Sequence, residues 1–156
     1  MIDWKEEAEK TYGFQVDVLR RGRGSWILET NQGLRLLKEY RGSLNRLEFE
    51  EEVLRSLDGM ETLRADRYMR NSAGELLSTA EDGTRYIVKE WFADPECDLK
   101  DEREVLSAVR ALALLHRQFR RIERQEAWNR RSMISPPLFE AMRRHNRELK
   151  KARTFI

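Results

Sequence analysis

One cysteine, three prolines and no long apolar run set the first limits on this chain of 156 residues. The lone Cys97 excludes an internal disulfide and fits a reducing cytosol, so a cytoplasmic location is expected. No run of 18 apolar residues occurs, so neither a membrane-spanning helix nor a membrane partner is expected. The start, Met1-Ile2-Asp3-Trp4-Lys5-Glu6, lacks the apolar stretch of a signal peptide. No H-E-x-x-H occurs and Cys97 stands alone, so no zinc site is expected. Apolar residues make up 40% and charged residues 37%, the composition of a soluble globular chain. The length suits one domain, or one small domain and part of another.

Net charge is only +2, but it is unevenly spread. Residues 117–153 hold 12 Arg or Lys against 4 Asp or Glu, while the rest of the chain holds 18 basic and 24 acidic residues. Such asymmetry can mark a nucleic-acid surface. A solvated helix face, or a surface for acidic partners, explains it as well. Few aromatics interleave with the basic residues beyond Phe119 and Trp128, which counts against nucleic acid as the partner.

Asp3 is placed to cap a helix carrying Trp4, Ala8 and Tyr12, with Gly13 as its stop. Segments 14–18, 25–30 and 34–40 alternate like half-buried strands, joined by turns at Arg21-Gly22-Arg23-Gly24 and Asn31-Gln32-Gly33. A helix over 44–57 follows, capped by Ser43 and closed at Gly59. Segments 67–71, 75–79 and 84–92, divided by turns, read together as two more strands of an antiparallel meander. Ala93-Asp94-Pro95 breaks the pattern, and helices are expected at about 99–120, 122–132 and from 138 onward. The fold class is therefore α+β: a five-stranded antiparallel sheet with one inserted helix, then a helical part. The expected divisions are a sheet lobe over 1–93, a linker over 94–98 and a helical segment over 99–156. The last helix runs to Ile156 without a closing glycine or polar tail, which suggests a chain cut inside a larger fold, although a docked C-terminal helix would look the same.

In Leu34-Arg35-Leu36-Leu37-Lys38-Glu39-Tyr40, alternation puts Lys38 on the same face as Leu34, Leu36 and Tyr40. An ammonium on an apolar face asks for an anion. On the 44–57 helix, Leu47, Phe49, Val53, Leu54 and Leu57 form an apolar arc, with Glu50 near its centre. Glu48, Glu51 and Glu52 fall off it. Glu50 is thus the expected partner of Lys38. An inward strand lysine followed by an inward helix glutamate is the arrangement of a protein-kinase-type N-lobe, where the lysine contacts nucleotide phosphates. A second reading stays open, in which Lys38 snorkels at a strand end and Glu50 sits at a helix rim. Gly22 and Gly24 supply two glycines of a G-x-G-x-x-G without the third, so a plain hairpin explains them equally. In such a lobe the backbone from Gly22 to Ser25 would cover phosphates, with the Ser25 hydroxyl assisting.

Several stretches together carry a resemblance. They are Thr30 to Lys38, the helix Phe49 to Leu57, Tyr86-Ile87-Val88-Lys89-Glu90-Trp91 leading to Glu96-Cys97-Asp98, Leu112-Ala113-Leu114-Leu115-His116, and His145 to Ala152. In order and spacing the chain resembles the CotS-like spore coat proteins, of the aminoglycoside phosphotransferase and choline kinase branch of the kinase-like fold. The resemblance implies ATP with Mg²⁺ as cofactor of the full-length parent, nucleotide and spore coat proteins as partners, and the spore coat as an alternative location. It implies that the backbone of Glu90, Trp91 and Phe92 takes the adenine edge, with Val88 at the back of the pocket. Asp94-Pro95 stands where the family often has Gly-Arg, so the path of this hinge is open.

The chemistry of that fold needs an Asp base and a metal-binding Asp. Neither an H-x-D-x-x-x-x-N nor a D-F-G-like segment occurs, so no catalytic residue is assigned and this chain by itself is expected to be inactive. His116 shares a helical face with Leu106, Val109, Leu112 and Ala113, and is expected to be a packed core histidine. Three readings follow: the nucleotide half of a kinase-fold protein, a pseudokinase-like structural module, and a nucleic-acid binder. On the first two, any association with DNA or RNA is sequence-indifferent and falls steeply between low and physiological salt. A filter-binding series across salt concentrations checks this, and nanomolar sequence-selective binding would promote the third reading.

Overall fold

The computed structural model describes residues 2–60, 63–93, 96–122 and 138–153. Helix α1 spans Trp4–Tyr12. The Asp3 side chain caps it by accepting from the Lys5 and Glu6 amides, and Gly13 closes it at φ 73°, a left-handed conformation that suits glycine. The strands are β1 Val16–Gly22, β2 Ser25–Thr30, β3 Gly33–Glu39, β4 Ser78–Thr79 and β5 Arg85–Glu90. They form one antiparallel sheet in the order β1-β2-β3-β5-β4. Helix α2, Leu44–Arg55, is inserted between β3 and β4 with the Ser43 hydroxyl as its cap. The fold class is α+β, as expected.

Element ends differ from the sequence reading where pairing outweighs local pattern. β1 begins at Val16 rather than Phe14 and continues to Gly22, because its partners on β2 extend to Ser25. The segment expected as a strand at 67–71 makes only one bridge, Tyr68 to Lys89. It is held beside β5 by Met69 N–H to Val88 O at 2.8 Å and Glu90 N–H to Arg67 O at 2.8 Å. Strand β4 shrinks to two residues because the Asn71 side chain accepts the Ala73 and Glu75 amides and turns the chain locally.

The sheet has two apolar faces. On one, Ala8 and Phe14 pack with Val16, Leu28, Leu37, Tyr86 and Val88, flanked by Trp4 and Tyr12. On the other, Leu47 of α2 packs with Leu76 and Ile87, flanked by Tyr40 and Tyr68. Cross-strand pairs explain the sorting: Leu37 faces Val88 and Lys38 faces Ile87, and paired residues share a side of the sheet.

The chain forms two compact units, residues 1–123 and 124–156. Helix α3, Glu102–Phe119, belongs to the first and is tied to α2 by Gln118 Nε2 donating to Ser56 O at 2.7 Å. Its apolar positions Leu106, Val109 and Leu112 are about half exposed. His116 on that face is exposed too, which corrects the expectation of a packed histidine: no described residue covers this side of α3. In the second unit α4 spans Leu138–Arg153 and exposes Arg143, Arg144, Arg147, Lys150 and Lys151. The helix expected at 122–132 falls, from 123 on, outside the described residues.

Leu37 is fully buried in the central strand. Leu37→Ala is expected to lower the unfolding free energy by about 2–5 kcal/mol through lost burial and a residual cavity, read from urea denaturation.

Candidate functional site

Alternation along β3 sends Leu37 into the α1-side core and turns Leu36 and Lys38 to the other face. There they meet Ile87 and Lys89 of β5, Tyr68 and Asp66 beside it, and Arg46 and Glu50 of α2. Together with the turn from Glu39 to Gly42 these residues line an open cleft of about 630 Å³. Its position follows from β3 lying between β2 and β5 while α2 returns over the α2-side face.

Seven charged side chains line the cleft: Lys38, Glu39, Arg41, Arg46, Glu50, Asp66 and Lys89. Three ion pairs account for six of them. Arg41 meets Glu39 at 3.7 Å, Arg46 Nε meets Glu50 Oε1 at 2.9 Å, and Lys89 Nζ meets Asp66 Oδ2 at 2.7 Å. Lys38 is left over. It is exposed, and among the described residues no carboxylate pairs with it. The cleft therefore offers one uncompensated cation to an incoming anion.

Lys38 and Glu50 do share the cleft, yet they are not paired. Both Glu50 oxygens are engaged elsewhere: Oε1 accepts from Arg46, and Oε2 accepts the Tyr68 hydroxyl at 2.7 Å. Burial first, and Glu50 second, push the Tyr68 phenol far above its usual range, so it stays a protonated donor. Tyr68 in turn lies beneath the Lys89 ammonium, 4.3 Å from the ring centre. Sequence reasoning missed Arg46 and Tyr68. The i, i+4 spacing of Arg46 and Glu50 on one helix was a usable signal, whereas Tyr68 is brought in only by pairing beside β5.

Glu51 corrects the helical-wheel reading. It was expected off the apolar arc, but it is 5% exposed while Glu50 is half-buried. The physical reason is Arg67, whose Nη2 lies 2.6 Å from Glu51 Oε1 and whose Nη1 bonds Asp58. A cation from a distant segment lets a carboxylate take a buried position that an apolar pattern cannot reveal.

Gly22, Gly24 and Ser25 form the β1–β2 turn, in which Gly22 pairs with Ser25 and Gly24 takes φ 71°. Ser25 falls on the Lys38 face by register, since Ile27 pairs with Leu36. These turn residues do not line the cleft. Val88 corrects another expectation. It is fully buried in the α1-side core, on the face opposite Lys38, because it pairs with Leu37. Ile87 and Lys89 line the cleft in its place. At Glu90 and Trp91 the backbone donors are already used, by Arg67 O at 2.8 Å and Leu34 O at 3.1 Å. Trp91 and Phe92 stack at 6.2 Å, with Arg64 over Phe92. Any base edge read by this segment must use its carbonyls or the amides after Trp91. Asp94 and Pro95 lie outside the described residues. Among the described residues no three His, Cys, Asp or Glu side chains come together as a metal site.

No family model matches the chain, and no curated protein matches it. Among solved structures, an aminoglycoside phosphotransferase from Alicyclobacillus acidocaldarius is similar at a TM-score of 0.63 and 16% identity. The similarity covers 97% of this chain and 42% of that one. A spectinomycin phosphotransferase, solved with ADP and spectinomycin, aligns at a TM-score of 0.47 and 12% identity over 62% of this chain and 31% of its own. The chain thus spans less than half the length of these proteins. The first likeness is one of fold: a kinase-like N-lobe sheet and the helices that follow it.

The two cation sites predict opposite responses. Lys38→Met removes an exposed, unpaired charge and is expected to change stability by less than about 0.5 kcal/mol. Arg67→Ala strands buried Glu51 and is expected to cost about 3–5 kcal/mol. Paired urea titrations check both.

Proposed function

We propose that this chain is the nucleotide-facing part of a kinase-fold phosphotransferase, with Lys38 as the contact for nucleotide phosphate. One observation carries the reading: Lys38 is the single lining cation without a carboxylate partner among the described residues, in a cleft of about 630 Å³. The fold agrees with it. An ammonium is a compact charge that suits a phosphate oxygen. Arg46 and Lys89 are each offset by a carboxylate, so the excess positive charge of the cleft lining is that of Lys38, which favours an anion over a neutral ligand. ATP with Mg²⁺ is the proposed cofactor of the full-length protein. When bound, the metal would supply charge neutralisation to the phosphates. In this chain Lys38 would hold the phosphate, and the Gly22–Ser25 turn would close over it from the same face of the sheet.

The finer assignment, to CotS-like spore coat proteins with coat proteins as partners, rests on the residue resemblance. The exposed apolar positions Leu106, Val109 and Leu112 favour a second reading, in which the lobe serves as an interaction module. Val109→Glu separates the two, since it should abolish association with a partner surface and leave nucleotide binding unchanged.

The direct test is calorimetric titration of the chain with ATP, with and without Mg²⁺. Weak binding is expected, and Lys38→Met should reduce it about tenfold or more, the worth of one hydrogen bond to a charged group. Equal binding by the variant, or none by the native chain at millimolar nucleotide, would remove the reading.

A further inference from the structure

The β1–β2 hairpin carries three arginines within four residues, Arg20, Arg21 and Arg23. Two of them have partners. Arg20 forms an ion pair with Glu29 of β2. Arg21 lies over Trp26, 5.4 Å from the ring centre, and Trp26 packs against the α1-side core. Arg23 shares the apex of the turn with Gly24 and is exposed. Among the described residues neither a carboxylate nor an aromatic ring meets it. Its charge is therefore uncompensated, as that of Lys38 is.

Strand register brings these two cations toward one another. Gly22 pairs with Ser25, and Trp26 pairs with Leu37. One step further along the same register, Ser25 stands opposite Lys38. Gly22 and Lys38 thus flank Ser25 on neighbouring strands, about 10 Å apart by two inter-strand spacings. Arg23 follows Gly22 directly. The turn lies outside the cleft lining, so Arg23 approaches from the rim beside Lys38.

We propose that Arg23 is a second anion contact, which takes the outer phosphates of a polyphosphate whose inner end lies on Lys38. Two long side chains that start about 10 Å apart hold different oxygens of one extended polyanion. The guanidinium fork suits two oxygens of a single phosphate, and the lysine suits one. A lone phosphate on Lys38 leaves Arg23 unused, so the site favours a di- or triphosphate over a monophosphate. That the polyphosphate belongs to a nucleotide rests on the function proposed above; the two-cation arrangement does not.

The test is calorimetric titration of the full chain at low salt with ATP, AMP and inorganic tripolyphosphate. Arg23→Gln should weaken ATP and tripolyphosphate about two- to fivefold, the worth of an exposed charge contact, and leave AMP unchanged. Arg23→Lys should recover most of the loss, because it keeps a charge at the turn. Arg21→Gln removes the same charge two residues away, from a side chain held over Trp26, and should leave all three ligands at native affinity. Equal losses in Arg21→Gln and Arg23→Gln would overturn the proposal, since a diffuse field rather than a contact would then be at work. Native ATP affinity in Arg23→Gln, with weakened affinity in Lys38→Met, would also overturn it while the nucleotide reading stood. If tripolyphosphate binds through Arg23 but ATP does not bind, the contact stands and the nucleotide reading fails. Binding of neither ligand by the native chain would remove both.

Discussion

Leu37 and Lys38 are neighbours on a strand flanked on both sides, and strand alternation forces them to opposite faces. The rest of the molecule depends on that constraint. Leu37 joins Leu28, Val88 and Tyr86 under α1, where burial supplies the stability. Lys38 is left on the face that α2 only partly covers. A slip of one residue in the β3–β5 register would bury the ammonium and expose the leucine. Five consecutive cross-strand pairs, from Arg35 with Glu90 to Glu39 with Tyr86, make that slip costly. The same register that builds the core thus delivers the cation to the cleft.

Helix α2 shows how two adjacent carboxylates acquire different roles. Glu51 is buried against Arg67, and that pair ties the helix to the segment beside β5. Glu50, one residue earlier and 100° around the helix, opens to the cleft and is shared between Arg46 and Tyr68. Arg67 and Tyr68 are themselves neighbours. One short segment, running beside β5 with little strand pairing of its own, therefore supplies one partner to each glutamate. The Gln118 bond to Ser56 O adds a tie at the far end of the same helix. The orientation of α2, and with it the charge presented to Lys38, is set by these polar contacts as much as by Leu47.

What the sequence by itself determined is whatever depends on local chemistry and period. The Asp3 and Ser43 caps, the Gly13 stop, the hairpins at Gly24 and Gly33, and the α+β order of elements follow from short-range rules, and they stand in the structure. The face of Lys38 was legible too, because alternation needs no partner to be known. Tertiary structure decided the rest. It chose Glu51 rather than Glu50 for burial, since the deciding cation, Arg67, is 16 residues away. It turned Val88 from the cleft, since its pairing with Leu37 fixes its side. It left His116 and the apolar face of α3 exposed, since covering them takes surface that the described residues do not provide. It gave Glu50 its second partner, Tyr68, because a phenol 18 residues away in sequence becomes a neighbour only when its segment lies along β5. Side-chain period tells which way a residue points, but a charge takes its role from whatever the fold places opposite it.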